Sequence, residues 1–183
     1  MTKIITFSGV AGAGKDTCAA IFKKEFERRN KRVFMLAYGD YVKTLLSRNF
    51  GYQEHLKSEF RDLLQYFGTD VVRNKDPDFW VKIVALTIET LKDEYDLFIV
   101  TDARFENELE LSNLVTAEIT NILVKREAKD HITAEQKKHS SEIMTLDNDK
   151  RFDIIINNNS SVSELTAKSL VYINQILEQS EVA

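Results

Sequence analysis

The amino-acid sequence predicts an α/β domain: a three-layer α/β/α sandwich built on a five-stranded parallel sheet. Short apolar runs rich in Ile, Val and Phe alternate along the whole chain with stretches of helical periodicity, which is the pattern of repeated βαβ units. A glycine-rich turn lies between the first apolar run and the first helical stretch, the position at which such folds bind ligands. At 183 residues, 43% of them hydrophobic and with a single proline, the chain has the length and composition of one domain over 1–183 with a full core.

The first strand is Ile4–Phe7, and the turn after it reads Gly9-Val10-Ala11-Gly12-Ala13-Gly14-Lys15-Asp16-Thr17. A strand before it and a helix after it are the context a phosphate-binding loop requires. Glycines let consecutive N–H groups point at one anion, the helix N-terminus adds favourable partial charge, and Lys15 reaches the outer phosphates. Asp16 stands where such loops usually carry the hydroxyl that meets magnesium; a carboxylate is also a hard oxygen ligand, and Thr17 still offers a hydroxyl. A ligand-free strand-to-helix turn is the competing reading, and Lys15 with both flanks speaks against it.

Cys18, Phe22 and Phe26 recur at four-residue spacing and make the apolar face of the first helix, which Asn30-Lys31 ends. Strand two, Arg32–Ala37, completes a βαβ unit with a right-handed crossover. Asp40 and Lys43 follow that strand's C-terminal end, where side chains face ligands; Asp40 either lines that site or caps the next helix. From Gln53 to Phe67 an apolar stripe of Leu56, Phe60, Leu63, Leu64 and Phe67 predicts a helix ended by Gly68-Thr69-Asp70. Arg61 and Gln65 share a neighbouring face, where an arginine suits a phosphate and a glutamine a base edge, although either also reads as a solvated helix residue.

Asp76-Pro77-Asp78 has the capping aspartate and first-turn proline of a helix start, and Trp80 reads as core or as a stacking surface. The third strand, Leu97–Asp102, ends in an acid that can orient magnesium or its waters, with Arg104 two residues on and Glu106 and Glu108 opening a helix. A fourth strand, Ile119–Val124, is followed by a polar stretch, about 126–151, that reads either as disordered or as a functional lid and holds His131 and His139. Strand five is Phe152–Asn157, and Ser161 with Glu164 forms the capping pattern of the last helix.

The net charge of −4 with mixed signs argues against a large nucleic-acid surface. Cys18 is the single cysteine, which leaves no intrachain disulfide and no cysteine cluster for zinc, and its spacing predicts a small buried core residue. No apolar run is long enough to span a bilayer and the chain enters its first strand at once, so a cytoplasmic location is expected without a membrane partner. Exposed helix faces allow a homodimer.

Several separated motifs, in order, resemble the deoxynucleoside monophosphate kinases best known from bacterial viruses, within the P-loop nucleotide kinase architecture. They are Phe7-Ser8-Gly9-Val10 with Gly14-Lys15-Asp16-Thr17, Leu64-Gln65 with Gly68-Thr69-Asp70, Trp80-Val81-Lys82, Asp102 with Arg104 and Glu108, His131-Ile132-Thr133, and Asp153 through Asn158. The Asp16 that departs from the general loop rule is what this family looks like. The resemblance implies transfer of the terminal phosphoryl group of ATP to a (deoxy)nucleoside monophosphate, with Mg2+. It puts Gly9, Gly12, Ala13, Gly14, Lys15, Asp16, Thr17 and Asn158 at ATP, and Asp16 and Asp102 at the metal. Asp40, Lys43, Arg61, Gln65, Asp70, Trp80, Arg104 and Glu108 fall at the acceptor, within a helical region over about 38–93. Lys15, Arg104 and the lid arginines Arg126 and Arg151 are the catalytic candidates. A dephospho-coenzyme A kinase or a non-catalytic nucleotide sensor would use the same sheet and loop.

Overall fold

Five parallel strands form one sheet in the order β2-β3-β1-β4-β5. They are β1 (Thr2–Ser8), β2 (Val33–Leu36), β3 (Leu97–Ala103), β4 (Ala117–Lys125) and β5 (Ile154–Asn157). The structure is a computed structural model and describes residues 2–127 and 149–181. Because β1 is central, with Lys3 opposite Leu97 on one side and Glu118 on the other, it is buried on both faces from Ile4 onward. That is why its sequence there runs Ile4-Ile5-Thr6-Phe7-Ser8 with no charged residue, only small hydroxyls interrupting the apolar side chains.

Among the described residues the α-helices are α1 (Lys15–Arg28), α2 (Asp40–Phe50), α3 (Arg61–Gln65), α4 (Phe79–Leu91), α5 (Glu106–Leu109) and α6 (Val162–Glu181). Cys18, Phe22 and Phe26 of α1 pack with Leu165, Ile173 and Ile176 of α6 against Ile5, Phe7 and Ile122 on one face of the sheet. Phe7 and Phe22 meet edge to face at 5.1 Å. Trp80, Val84 and Ile88 of α4 cover Ile4, Phe98 and Val100 on the other face, which completes the three predicted layers. Each fully buried Phe or Ile contributes about 1.5–3 kcal/mol of burial. Asn30, at φ 60°, turns the chain out of α1 where the sequence predicts, and Ser161 Oγ accepts the Glu164 N–H at 3.2 Å at the head of α6.

Two local expectations are corrected. The helix expected over Gln53–Phe67 is a 3-10 turn at Glu54–Leu56 followed by α3, and Gly68-Thr69-Asp70 does not end it. The helix runs on through Tyr66–Arg73 in wide i→i+5 turns. Gly68 carries no positive φ, and its carbonyl accepts the Trp80 indole N–H at 2.8 Å, so a tertiary bond takes up the glycine instead of a stop. The helix expected from Asp76-Pro77 begins at Phe79. Asp76 instead accepts the Asp78 N–H at 3.1 Å and pairs with Lys82 at 2.9 Å, forming the turn before the helix. Within the expected lid, residues 128–148, with His131 and His139, lie outside the described residues.

Candidate active site

The loop between β1 and α1 is shaped by what stands against it. Gly14, the residue before α1, has φ +93°, and a Cβ there would fall 2.3 Å from Asn158 Nδ2. Gly9 leans on the end of β4, where a Cβ would fall 2.4 Å from the Val124 carbonyl oxygen. Asn158, just beyond β5, donates from Nδ2 to the Ala13 carbonyl at 2.8 Å and from its N–H to the Lys125 carbonyl at 2.7 Å. It is buried and braces the loop from behind. Lys15 is buried as the first residue of α1, while Asp16 and Thr17 are exposed.

In front of the loop lies a cavity of about 520 Å³. Gly12, Lys15 and Asp16 form one wall, Lys43 and the chain after β2 another, and Asp102, Arg104 and Glu108 a third. The widened helix supplies Arg61, Gln65, Thr69 and Arg73, with Trp80 behind them. A four-residue step overshoots a 3.6-residue turn by about 40°; the wide turns through Tyr66–Arg73 take that drift back. Residues four apart therefore keep facing the cavity for the length of the helix.

Two carboxylates organise the end of β3. Asp102 accepts the N–H groups of Tyr38 at 2.7 Å and Gly39 at 3.0 Å, which pins the chain leaving β2. Glu108, 2% exposed, accepts the N–H groups of Arg104 at 2.6 Å and Phe105 at 3.0 Å, and pairs with Arg73 Nη2. The Arg73 guanidinium lies 4.0 Å over the Phe105 ring, and Nη1 donates to the Pro77 carbonyl at 3.2 Å. The Tyr38 hydroxyl donates to the Glu108 carbonyl at 2.8 Å. Burial raises the Tyr38 phenol well above its ordinary range, so it stays protonated as that donor. Burial also pushes the Glu108 carboxyl up to about 7, against the pull of Arg73 and the two N–H groups.

Residues 53–169 match the family model described as deoxynucleotide monophosphate kinase. The chain belongs to the deoxynucleotide monophosphate kinase family. The N-terminal residues 1–72 also match the adenylylsulphate kinase model, as expected for families that share a phosphate loop. No curated protein matches the chain. Among solved structures, dephospho-CoA kinase from Campylobacter jejuni is similar at 15% identity and TM-score 0.57, covering 98% of this chain and 100% of its own. The Mycobacterium tuberculosis APS kinase in complex with AMPPNP and APS is similar at 14% identity and TM-score 0.55, covering 95% and 98%. A sugar kinase from Janibacter sp. HTCC2649 stands at 13% and 0.54, covering 95% of each chain. At such identities the shared property is the P-loop kinase fold.

In this member of the deoxynucleotide monophosphate kinase family, the cavity gathers Gly12, Lys15, Asp16, Lys43, Arg61, Gln65, Trp80, Asp102, Arg104 and Glu108 from the sequence candidates. Thr17, Asp40, Asp70, Arg126 and Arg151 are not on its described walls. Asp40 accepts the Ala37 N–H at 2.8 Å and lies 3.7 Å from Lys43, and Arg151 pairs with Glu106 at 3.0 Å. Trp80 is 4% exposed with its indole N–H bound, which makes it packing for the cavity wall. Sequence reasoning missed Arg73, Tyr38 and Phe105. The four-residue series Arg61, Gln65, Thr69, Arg73 was the available signal, hidden by the expectation that Gly68 ended the helix. Among the described residues no group of three or more His, Cys, Asp or Glu side chains forms a ready metal cluster, and no helix is long and apolar enough to cross a membrane.

Proposed function

We propose that the protein transfers the γ-phosphoryl group of ATP to a deoxynucleoside monophosphate, giving the diphosphate. The observation that carries the reading is a single cavity with Lys15 and Asp16 of the phosphate loop on one wall and Arg61, Gln65 and Arg104 on the others. Two substrates need to meet in line there, and phosphoryl transfer is catalysed mainly by positioning and charge neutralisation.

Lys15 and the amides of Gly9 to Gly14 hold the donor phosphates, with Thr17 adding a hydroxyl and Asn158 fixing the loop. Magnesium keeps several waters and takes one or two carboxylates plus phosphates, so it needs no preformed carboxylate cluster among the described residues. Asp16, exposed beside the loop, fits as the direct carboxylate. Asp102 fits through water, since two of its lone-pair directions are taken by Tyr38 and Gly39. The ion supplies neutralisation of the phosphate oxygens. Arg61, Arg104 and Lys43 orient the acceptor phosphate, and Gln65 reads the base, with Asp40 and Asp70 as outer sugar contacts. Arg126 and Arg151 close over the transferring group. The setting is the cytoplasm, where ATP and nucleotide pools lie.

The test is a coupled ADP-release assay over all deoxy- and ribonucleoside monophosphates, with dephospho-coenzyme A and adenylyl sulfate in the panel. ADP release with one or more deoxynucleoside monophosphates, abolished in Lys15→Ala, is the expected result. Release with dephospho-coenzyme A or adenylyl sulfate alone defeats the reading.

A further inference from the structure

We propose that Glu108 is a positioning residue: without touching either substrate, it holds Arg73 and the Arg104–Phe105 turn together as one wall of the acceptor cavity. This rests on the proposed monophosphate kinase reaction. Three chain segments that line the cavity converge on this residue, two of them on its carboxylate and the third on its backbone carbonyl. The turn after β3 is held through the N–H groups of Arg104 and Phe105, both on Oε2. The far end of the widened helix is held through Arg73 on Oε1. The chain leaving β2 is tied through the Tyr38 hydroxyl on the Glu108 carbonyl, and Asp102 pins the same chain from the other side.

A purely structural account is available, since a glutamate three residues into a helix commonly accepts the N–H of the capping position. It does not explain the arrangement. Such a glutamate normally sits in water, whereas Glu108 is 2% exposed and faces Arg73, itself at 10%. Burying both charges is costly unless each is fully paired, and α5, only Glu106–Leu109, is a short helix to justify it. What the pair achieves is a fixed guanidinium, held by Glu108, by the Pro77 carbonyl and by the face of Phe105, beside the backbone that carries Arg104. The groups facing Glu108 are Arg73 from the helix, Tyr38 from the chain after β2, and Asp102 with the Arg104 and Phe105 amides from β3 and its turn.

Three variants separate positioning from support. Glu108→Gln keeps an oxygen for the two N–H groups but turns an amide toward Arg73, Glu108→Ala removes both, and Arg73→Met with Glu108→Gln makes the pair uncharged. Steady-state kinetics and thermal melts are compared with wild type. The expected result is a rise in acceptor KM of roughly tenfold or more in Glu108→Gln with the ATP KM within about twofold. The double variant should regain the melting temperature while the acceptor KM stays raised. Recovery of the acceptor KM together with stability overturns the proposal, as does an equal rise in both KM values. A wild-type protein that phosphorylates no monophosphate defeats the functional reading instead. Amide exchange then decides the positioning: Arg104 and Phe105 should be protected in wild type and open in Glu108→Ala, and protection that survives in Glu108→Ala overturns it.

Discussion

Gly14→Ala tests the phosphate loop at the point where its geometry is most constrained. The residue has φ +93°, and an alanine forced into the left-handed region costs about 1–2 kcal/mol. The new Cβ would also lie 2.3 Å from Asn158 Nδ2. To relieve that contact Asn158 must leave the Ala13 carbonyl, a bond of 2.8 Å, whose loss removes about 1 kcal/mol and leaves a buried acceptor short of a partner. The sum is about 2–4 kcal/mol, and in a chain of 183 residues each kcal/mol moves the melting temperature by roughly 2–4 °C. Gly14→Ala should therefore melt roughly 4–16 °C below wild type. Thermal melts of Gly14→Ala, Asn158→Ala and the double variant make the check. The double variant should lose less than the sum of the singles by about 1 kcal/mol, because the clash disappears with the asparagine side chain. Strict additivity, or an unchanged melting temperature in Gly14→Ala, refutes the account of how Asn158 braces the loop.

Three further outcomes follow from the same geometry. Cys18 is fully buried and its thiol is pushed up to about 11 by burial, so alkylation at pH 8 should be negligible in the native protein and rapid after denaturation. The Glu108 carboxyl rises in the folded state from 4.5 to about 7; a group with a raised folded pKa loses its stabilising contribution as pH climbs through that window. The stability advantage of wild type over Glu108→Gln, read from urea unfolding, should shrink between about pH 4.5 and pH 7, and an advantage that grows instead means the ion pair outweighs burial. Arg104→Ala should lower kcat/KM for the acceptor by roughly 10²-fold or more, a few kcal/mol of transition-state stabilisation; unchanged turnover removes Arg104 from the chemistry.

The parts of the molecule legible in the sequence are those written in local patterns. Ile4 to Phe7 and Leu97 to Val100 read as buried strands because central parallel strands bury both faces; Ile119 to Val124 reads as a strand, and its buried part is Ile122–Val124. Gly9 to Lys15 read as a phosphate loop because its flanks and spacing are contiguous. What was not legible depends on partners distant in the chain. Asn158 braces Ala13, Asp102 holds Tyr38 and Gly39, and Glu108 pairs with Arg73, and no periodicity encodes these pairings. The wide turns of Tyr66–Arg73 were hidden for the same reason: Gly68 reads locally as a stop, and only the indole of Trp80 on its carbonyl shows why the helix passes through it.

The central place of β1 bears on how the chain acquires its binding site during synthesis. Thr2–Ser8 leaves the ribosome well before its partners: its neighbours are β3 and β4, with Lys3 opposite both Leu97 and Glu118. Pairings so far apart in the chain are slow to form. Gly9 rests on Val124, and Ala13 is held by Asn158. A nascent chain halted before β4 thus carries every residue of the phosphate loop without the surfaces that shape it, and nucleotide capture has to wait until nearly the whole domain has emerged.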